Sequence, residues 1–170
     1  MVLDFNKTLQ EALKNIGLTD HQEFVVHDQE EERTYLTSDE TIGRYGDVKW
    51  AVVDLLNEQY SKILESPFDL YNWLHKNEND EVSYFINEAG SNSLNHSDFK
   101  APSKFHLWLG SKGFVIAIEQ KGRGFDAVNV HELQIKDNEG AAFDFFRKCR
   151  SRIFFDNPTD ARIVFMEYVF

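Results

Sequence analysis

The sequence has a single cysteine, an excess of acidic over basic residues and no long apolar run. The lone Cys149 excludes an internal disulfide framework and suits a reducing compartment. With 18 Lys and Arg against 29 Asp and Glu, the net charge of −11 argues against non-specific binding to nucleic acid or to an anionic membrane. That charge still allows a nucleotide to bind in a local cationic pocket. Because the chain lacks both an apolar run of ~20 residues and a basic-then-apolar leader, we expect a cytoplasmic protein.

Apolar residues are plentiful enough to form a folded core. They make up 42% of the chain and include 15 Phe, which argues against disorder. A length of 170 residues is typical of one domain, so we expect residues 1–170 to form a single domain.

Hydrophobic periodicity changes from helical to alternating partway along the chain. Apolar stripes of helical period predict helices over 4–16, 47–64, 80–97 and 140–150, with a short one that Ser66 would cap. Gly17 is expected to end the first of these helices, and Asp80 is expected to cap the one at 80–97. Alternation of period two predicts hairpins over 23–37, 104–118 and 151–170, and the last strand, 162–170, is expected to be central. Poor periodicity over 127–139 indicates a loop with room for a helical turn. Helices precede most strands, which predicts an α+β fold: a mixed, mainly antiparallel sheet covered on one face by helices.

Three polar residues of the helix at 80–97 lie four apart. Glu88, Asn92 and His96 therefore share one face, beside an apolar stripe. The carboxylate can take a proton or orient a water molecule, and the carboxamide one turn later offers a neutral oxygen to a hydrated divalent cation. The alternative is a helix whose polar residues simply face solvent.

A glycine-rich segment follows the hairpin at 104–118. Gly122 and Gly124, within residues 120–126, let the backbone turn and come close to a ligand. An ordinary turn is the alternative.

The order of a polar helix, a hairpin, a glycine turn, a second glycine and a final hairpin resembles the GHKL family. This family has the Bergerat ATP-binding fold, and its stand-alone anti-sigma-factor serine kinases are the most similar branch. The resemblance covers residues 45–170 and leaves 1–40 as an N-terminal extension, a helix and a hairpin. Residues 86–96, INEAGSNSLNH, resemble the family's asparagine box. The box implies that Asn92 is a Mg²⁺ ligand, that Glu88 orients or deprotonates the nucleophile, and that His96 lies near the phosphates or at the helix end.

Three further segments resemble the family's later boxes. Residues 120–124, QKGRG, resemble the box that binds adenine. Gly140 begins a segment that resembles a degenerate form of the family's second glycine box, and Thr159 lies where the family often has Gly-Thr. Two residues depart from the pattern. Gln120 replaces the Asp that accepts the adenine amino group, which would weaken that interaction by roughly 1–2 kcal/mol. Ala142 replaces a glycine and would crowd the approach of the backbone to phosphate.

The resemblance implies a histidine kinase-like protein with ATP and Mg²⁺ as cofactors. If catalytic, it would transfer a phosphoryl group to water or to a protein serine, with Glu88 as base. One alternative is a degenerate module that regulates a partner protein without turnover. A third interpretation is an unrelated α+β protein in which the box matches are coincidental. The expected partners are a nucleotide and a regulatory protein, with a second copy of the chain as a further candidate, and neither nucleic acid nor membrane.

Overall fold

The computed structural model describes residues 3–28, 39–137 and 141–170. The helices are α1 (Leu9–Ile16), α2 (Asp39–Gln59), α3 (Tyr71–Leu74), α4 (Glu81–His96), α5 (Ala127–Asp137) and α6 (Ala141–Lys148). The strands are β1 (Leu18–Val25), β2 (Lys104–Gly110), β3 (Gly113–Glu119), β4 (Arg152–Phe155) and β5 (Ile163–Val169). The predicted α+β class is confirmed.

The strands form one five-stranded sheet in the order β1-β2-β3-β5-β4. Neighbouring strands are antiparallel throughout, and an isolated parallel bridge joins Leu3 to Ile153. The hairpin of β2 and β3 is confirmed. So is the central position of β5, which lies between β3 and β4 because its side chains are apolar on both faces of the sheet.

Both faces of the sheet are covered at least in part. The main core lies on the side of α2 and α4 and includes Phe85, Phe105, Phe114 and Ile116. A smaller core lies under α1, on the opposite face, and consists of Ala12, Ile16, Trp108, Val115, Ala117, Phe154 and Phe165. Each fully buried large apolar side chain contributes roughly 1.5–3 kcal/mol. Most helices therefore cover one face, as expected, while α1 adds cover on the other.

The N-terminal helix is shorter than expected. It begins at Leu9 because Thr8 and Glu11 form a capping box, in which each side chain bonds the other residue's backbone N–H. It ends at Gly17, as predicted, with Gly17 in the left-handed conformation at φ +64°.

Strand β1 starts immediately after this helix, whereas the sequence predicts a strand only from Glu23. Residues 18–21 are exposed and mostly polar, so they carry no alternating signal. The expected hairpin partner at 33–37 lies outside the described residues. The partner that is described is β2, which pairs with β1 from Leu18 to Val25.

Two of the helices differ from their predicted starts. Helix α2 begins at Asp39, before the expected Asp47, because the buried Thr41 and Tyr45 continue its apolar stripe upstream. Helix α3 starts only at Tyr71, which donates its backbone N–H to the carboxylate of Asp69. The predicted cap at Ser66 is therefore wrong.

The expected loop at 127–139, with at most a helical turn, is wrong for the described residues, because 127–137 form the three-turn helix α5. Its first turn is held by the carboxylate of Asp126, which accepts a hydrogen bond from the Asn129 N–H at 2.9 Å. Leu133 and Ile135 are exposed, which explains why the apolar residues of this helix show no clear period.

Candidate functional site

Helix α4 presents the predicted polar residues because its cap and its buried face fix its rotation. The Asp80 carboxylate accepts hydrogen bonds from the N–H groups of Ser83 and Asp69. The buried face contains the expected Val82, Phe85, Ile86, Ala89 and Ser93. Glu88 and Asn92 are consequently half-buried and His96 is exposed.

The Glu88 carboxylate is held by a tryptophan from α3. Trp73 donates its indole N–H to Glu88 Oε1 over 2.8 Å. This charge-assisted bond fixes the orientation of the carboxylate while the second oxygen keeps its capacity to accept. The sequence gives no direct signal for this partner, since Trp73 lies fifteen positions earlier in a separate element.

A second polar contact, which the sequence does not reveal, joins α4 to α2. Asn87 is buried, donates to the Ser83 carbonyl over 2.9 Å and accepts from Lys49 Nζ over 3.1 Å. The Lys49 ammonium also lies 4.6 Å from the centre of the Tyr45 ring. Burial lowers the pKa of Lys49 below its usual value.

The glycine turn that follows β3 docks against the end of α4. Gly122 has φ +89°, a conformation that favours glycine. The neighbouring Arg123 donates its backbone N–H to Asp98 Oδ2 over 2.7 Å and its guanidinium to Asp98 Oδ1 over 2.9 Å. These bonds hold the pKa of Asp98 below its usual value. A Cβ atom at Gly122 would lie 2.5 Å from Asp98 Oδ2, so the turn and the carboxylate are in close contact.

The loop between β4 and β5 lies against the same turn. Arg162 Nε donates to the Gly122 carbonyl over 2.9 Å, and the Ala127 N–H donates to the Pro158 carbonyl over 2.8 Å. A Cβ atom at Gly124 would lie 2.2 Å from Asp160 Oδ1. The Thr159 hydroxyl is bonded within its own loop, to Asn157 Oδ1 at 3.1 Å.

Only some of the predicted site residues meet at this end of the sheet. Gln120, Gly122, Gly124 and the loop that carries Thr159 come together there, next to the end of α4. Along α4, Asn92 is about 6 Å and Glu88 about 12 Å before His96, given a rise of about 1.5 Å per residue. Gly140 lies outside the described residues.

Charge around the glycine turn differs from the acidic average of the chain. Lys121, Arg123 and Arg162 surround it, together with the carboxylates of Asp98 and Asp160. Lys121 donates to the Asp28 carbonyl over 2.9 Å, and Arg162 pairs with Asp160 over 2.9 Å. The cations are thus held in place beside the turn, where an anionic ligand could meet them.

A cleft of about 670 Å³ lies at the other end of α4, away from the predicted site. Four glutamates, Glu65, Glu78, Glu81 and Glu167, line it with Arg150 and Arg152. Glu81 also accepts hydrogen bonds from the backbone N–H groups of Arg150 and Ser151, which ties α4 to the start of β4. Among the described helices, none is both long and apolar enough to cross a membrane.

No protein-family model matches this chain, and searches of curated proteins and of solved structures find no similar one. The functional assignment therefore rests on the residues themselves.

Proposed function

We propose that this chain is an ATP-binding module of the histidine kinase-like type that regulates a partner protein. The supporting observation is the meeting of three segments that are far apart in the sequence. Arg123 in the glycine turn bonds Asp98, 25 positions earlier, and Arg162 bonds Gly122, 40 positions earlier. A ligand at this junction would contact the end of the box helix, the turn and the loop of the last hairpin at once.

The residues present fit Mg²⁺ and triphosphate in their chemistry. Mg²⁺ prefers oxygen ligands and keeps several waters, so the one amide oxygen of Asn92 suffices when phosphates complete the shell. When bound, the ion would neutralise charge on the phosphates. Arg123 and Lys121 would meet phosphate or ribose oxygens through charge-assisted hydrogen bonds.

In this proposal Glu88 is the general base for phosphoryl transfer. Its carboxylate is half-buried and oriented by Trp73, with one oxygen left to accept a proton from water or from a serine hydroxyl. Orientation of a base by a neighbouring donor supports positioning of the nucleophile.

A second candidate function, regulation without turnover, is favoured by the filling of the glycine turn. The spaces beside Gly122 and Gly124 are taken by the carboxylates of Asp98 and Asp160. An adenine or phosphate group that enters there has to displace two residues held by arginines. In this alternative the glycines serve close packing of the chain against itself.

Calorimetric titration of ATP and ADP, with and without Mg²⁺, tests the proposal. We expect wild type to bind ATP, Mg²⁺ to tighten binding, and Asn92→Ala to remove the Mg²⁺ effect. Asn95→Ala is the matched control, because Asn95 is an exposed asparagine on the last turn of the same helix. Absence of nucleotide binding at millimolar concentration would overturn the assignment.

Two variants separate the candidates. Gln120→Asp should tighten ATP binding about tenfold by restoring a charged acceptor. Glu88→Gln should abolish ATP hydrolysis or protein phosphorylation while it preserves binding. Binding by wild type with no turnover in either assay would select regulation without turnover.

A further inference from the structure

Two histidines and a glutamate face one another on the side of the sheet opposite to α4. They are His21 and Glu23 on β1 and His106 on β2, where His21 pairs with Trp108 and Glu23 with His106 in the strand register. Helix α1 packs mainly against β3 and β5, so within the described part of the chain it leaves His21 and Glu23 exposed, while His106 is buried. One potential ligand atom from each residue lies within 4.8 Å of the other two.

We propose that His21, Glu23 and His106 form a binding site for a divalent first-row transition metal, with Zn²⁺ as its probe. Two imidazoles and one carboxylate are a donor set suited to such ions and ill-suited to Mg²⁺ or Ca²⁺. None of these three residues belongs to the proposed nucleotide site, whose α4 residues lie on the opposite face of the sheet.

Two of the three distances between the donor atoms match a tetrahedral ion, and the third pair lies within 4.8 Å. Zn–N and Zn–O bonds of about 2.0–2.2 Å place tetrahedral ligand atoms roughly 3.3–3.5 Å apart. His21 Nε2 lies 3.3 Å from His106 Nδ1. Glu23 Oε1 lies 3.5 Å from the same nitrogen. The ion can therefore be accommodated with small side-chain movements.

A fourth residue fixes which nitrogen of His106 is available. Glu119 Oε2 lies 2.7 Å from His106 Nε2, and a carboxylate can only accept, so Nε2 carries the proton. In the neutral ring, Nδ1 then presents its lone pair towards His21 and Glu23. A carboxylate bonded to the far nitrogen of a ligating histidine is the usual way in which proteins orient such a ligand.

Surrounding contacts hold the other two ligands. The His21 ring is stacked on Trp108, with centres 4.5 Å apart and planes 5° from parallel. Glu23 uses Oε2 to pair with Lys104 over 3.1 Å, which leaves Oε1 for the ion. Since His21 and Glu23 are exposed, the remaining coordination position faces solvent and would take a water molecule or an exogenous ligand.

Calorimetry with ZnCl₂ on chelator-treated full-length protein, without nucleotide, tests this proposal. We expect one site per chain, lost in His21→Gln and weakened about 10–100-fold in Glu119→Gln. His75→Gln is the control, because His75 is an exposed histidine at the end of α3. Far-UV circular dichroism checks that each variant is folded.

Co²⁺ supplies an independent readout of coordination. A four-coordinate site should give intense visible absorption, absent from His21→Gln and retained by His75→Gln. Co²⁺ should also quench the fluorescence of Trp108 through the stacked His21. No binding by wild type, or equal binding by wild type and His21→Gln, would overturn the assignment. A failure here leaves ATP binding untouched, and a failure of ATP binding leaves the metal titration unchanged.

Discussion

Replacing Gly90 by alanine should destabilise the protein, although alanine normally favours a helix. Gly90 lies within α4 and faces Tyr45 of α2. A Cβ atom at this position would lie 1.8 Å from the Tyr45 hydroxyl oxygen and 2.7 Å from Cζ. Both distances are far below van der Waals contact, so α2 and α4 must separate or Tyr45 must move.

Movement of Tyr45 is restricted by its surroundings. The residue is 5% exposed, and its ring centre lies 6.2 Å from that of Phe105 on the sheet. Overpacking a core typically costs about 1–3 kcal/mol, and a contact this short belongs near the upper end of that range. Alanine returns about 1 kcal/mol through its helix propensity. The expected net loss in the free energy of unfolding is about 2 kcal/mol.

Urea unfolding of Gly90→Ala and Gly43→Ala measures this effect with an internal control. Gly43 lies in α2, and a Cβ atom there would have nothing within 4 Å. Gly43→Ala should therefore stabilise the protein by up to about 1 kcal/mol, opposite in sign to Gly90→Ala. The two changes differ only in what the added methyl group meets.

A double-mutant cycle with Tyr45→Phe identifies the clashing atom. Removing the hydroxyl leaves Cζ, at 2.7 Å, as the nearest atom, so the methyl group added by Gly90→Ala should cost less when it is combined with Tyr45→Phe. If Gly90→Ala stabilises the protein as much as Gly43→Ala does, the described packing of α2 on α4 is wrong.

Three further predictions concern a thiol, a loop and the glycine turn. Burial raises the pKa of the Cys149 thiol from 9.0 to about 12, so alkylation by iodoacetamide at pH 8 should be slower by at least about tenfold in native than in urea-unfolded protein. Asn57→Ala should lower the urea midpoint by an amount equivalent to about 2–3 kcal/mol, because the Asn57 amide makes two 2.8 Å hydrogen bonds to the backbone of Phe68; an unchanged midpoint would contradict this. Because Arg123 depresses the pKa of Asp98 in the folded state, the stabilisation is present at neutral pH and is lost as the pH falls through that lowered pKa. Asp98→Asn should accordingly cost more stability at pH 7 than at about pH 3, and an equal cost at both would refute the ion-pair account.

Local signals predicted the parts of the fold whose residues carry strong patterns. The cap at Asp80 and the apolar stripe of α4 were sufficient for that helix, and strict alternation predicted β2 and β3. Gly17 marked the end of α1. The start of β1 and the whole of α5 were missed because their exposed residues lack a period that distinguishes strand or helix from loop.

The candidate site was predictable in its spacing and not in its contacts. Four-residue steps from Glu88 to His96 follow from the helix alone. The bonds from Trp73 to Glu88 and from Lys49 to Asn87 join residues 15 and 38 positions apart, and no local pattern encodes such pairs. The proposed metal-binding residues show the same limit, since His106 comes 85 positions after His21 and only strand pairing brings them together.

The glycine turn shows what a short motif can and cannot predict. Two glycines two positions apart indicate that something approaches the backbone closely, and in this structure it is the carboxylates of Asp98 and Asp160. Position 120 is a Gln and has no carboxylate, but the carboxylate of Asp98 lies beside Gly122, two positions later. Arg123 donates hydrogen bonds to both oxygens of Asp98, so an adenine amino group would compete with Arg123 for this carboxylate. If a nucleotide binds at this junction as proposed and recruits Asp98, its binding is coupled to opening of the Asp98–Arg123 pair, and its affinity is reduced by the free energy needed to break the pair.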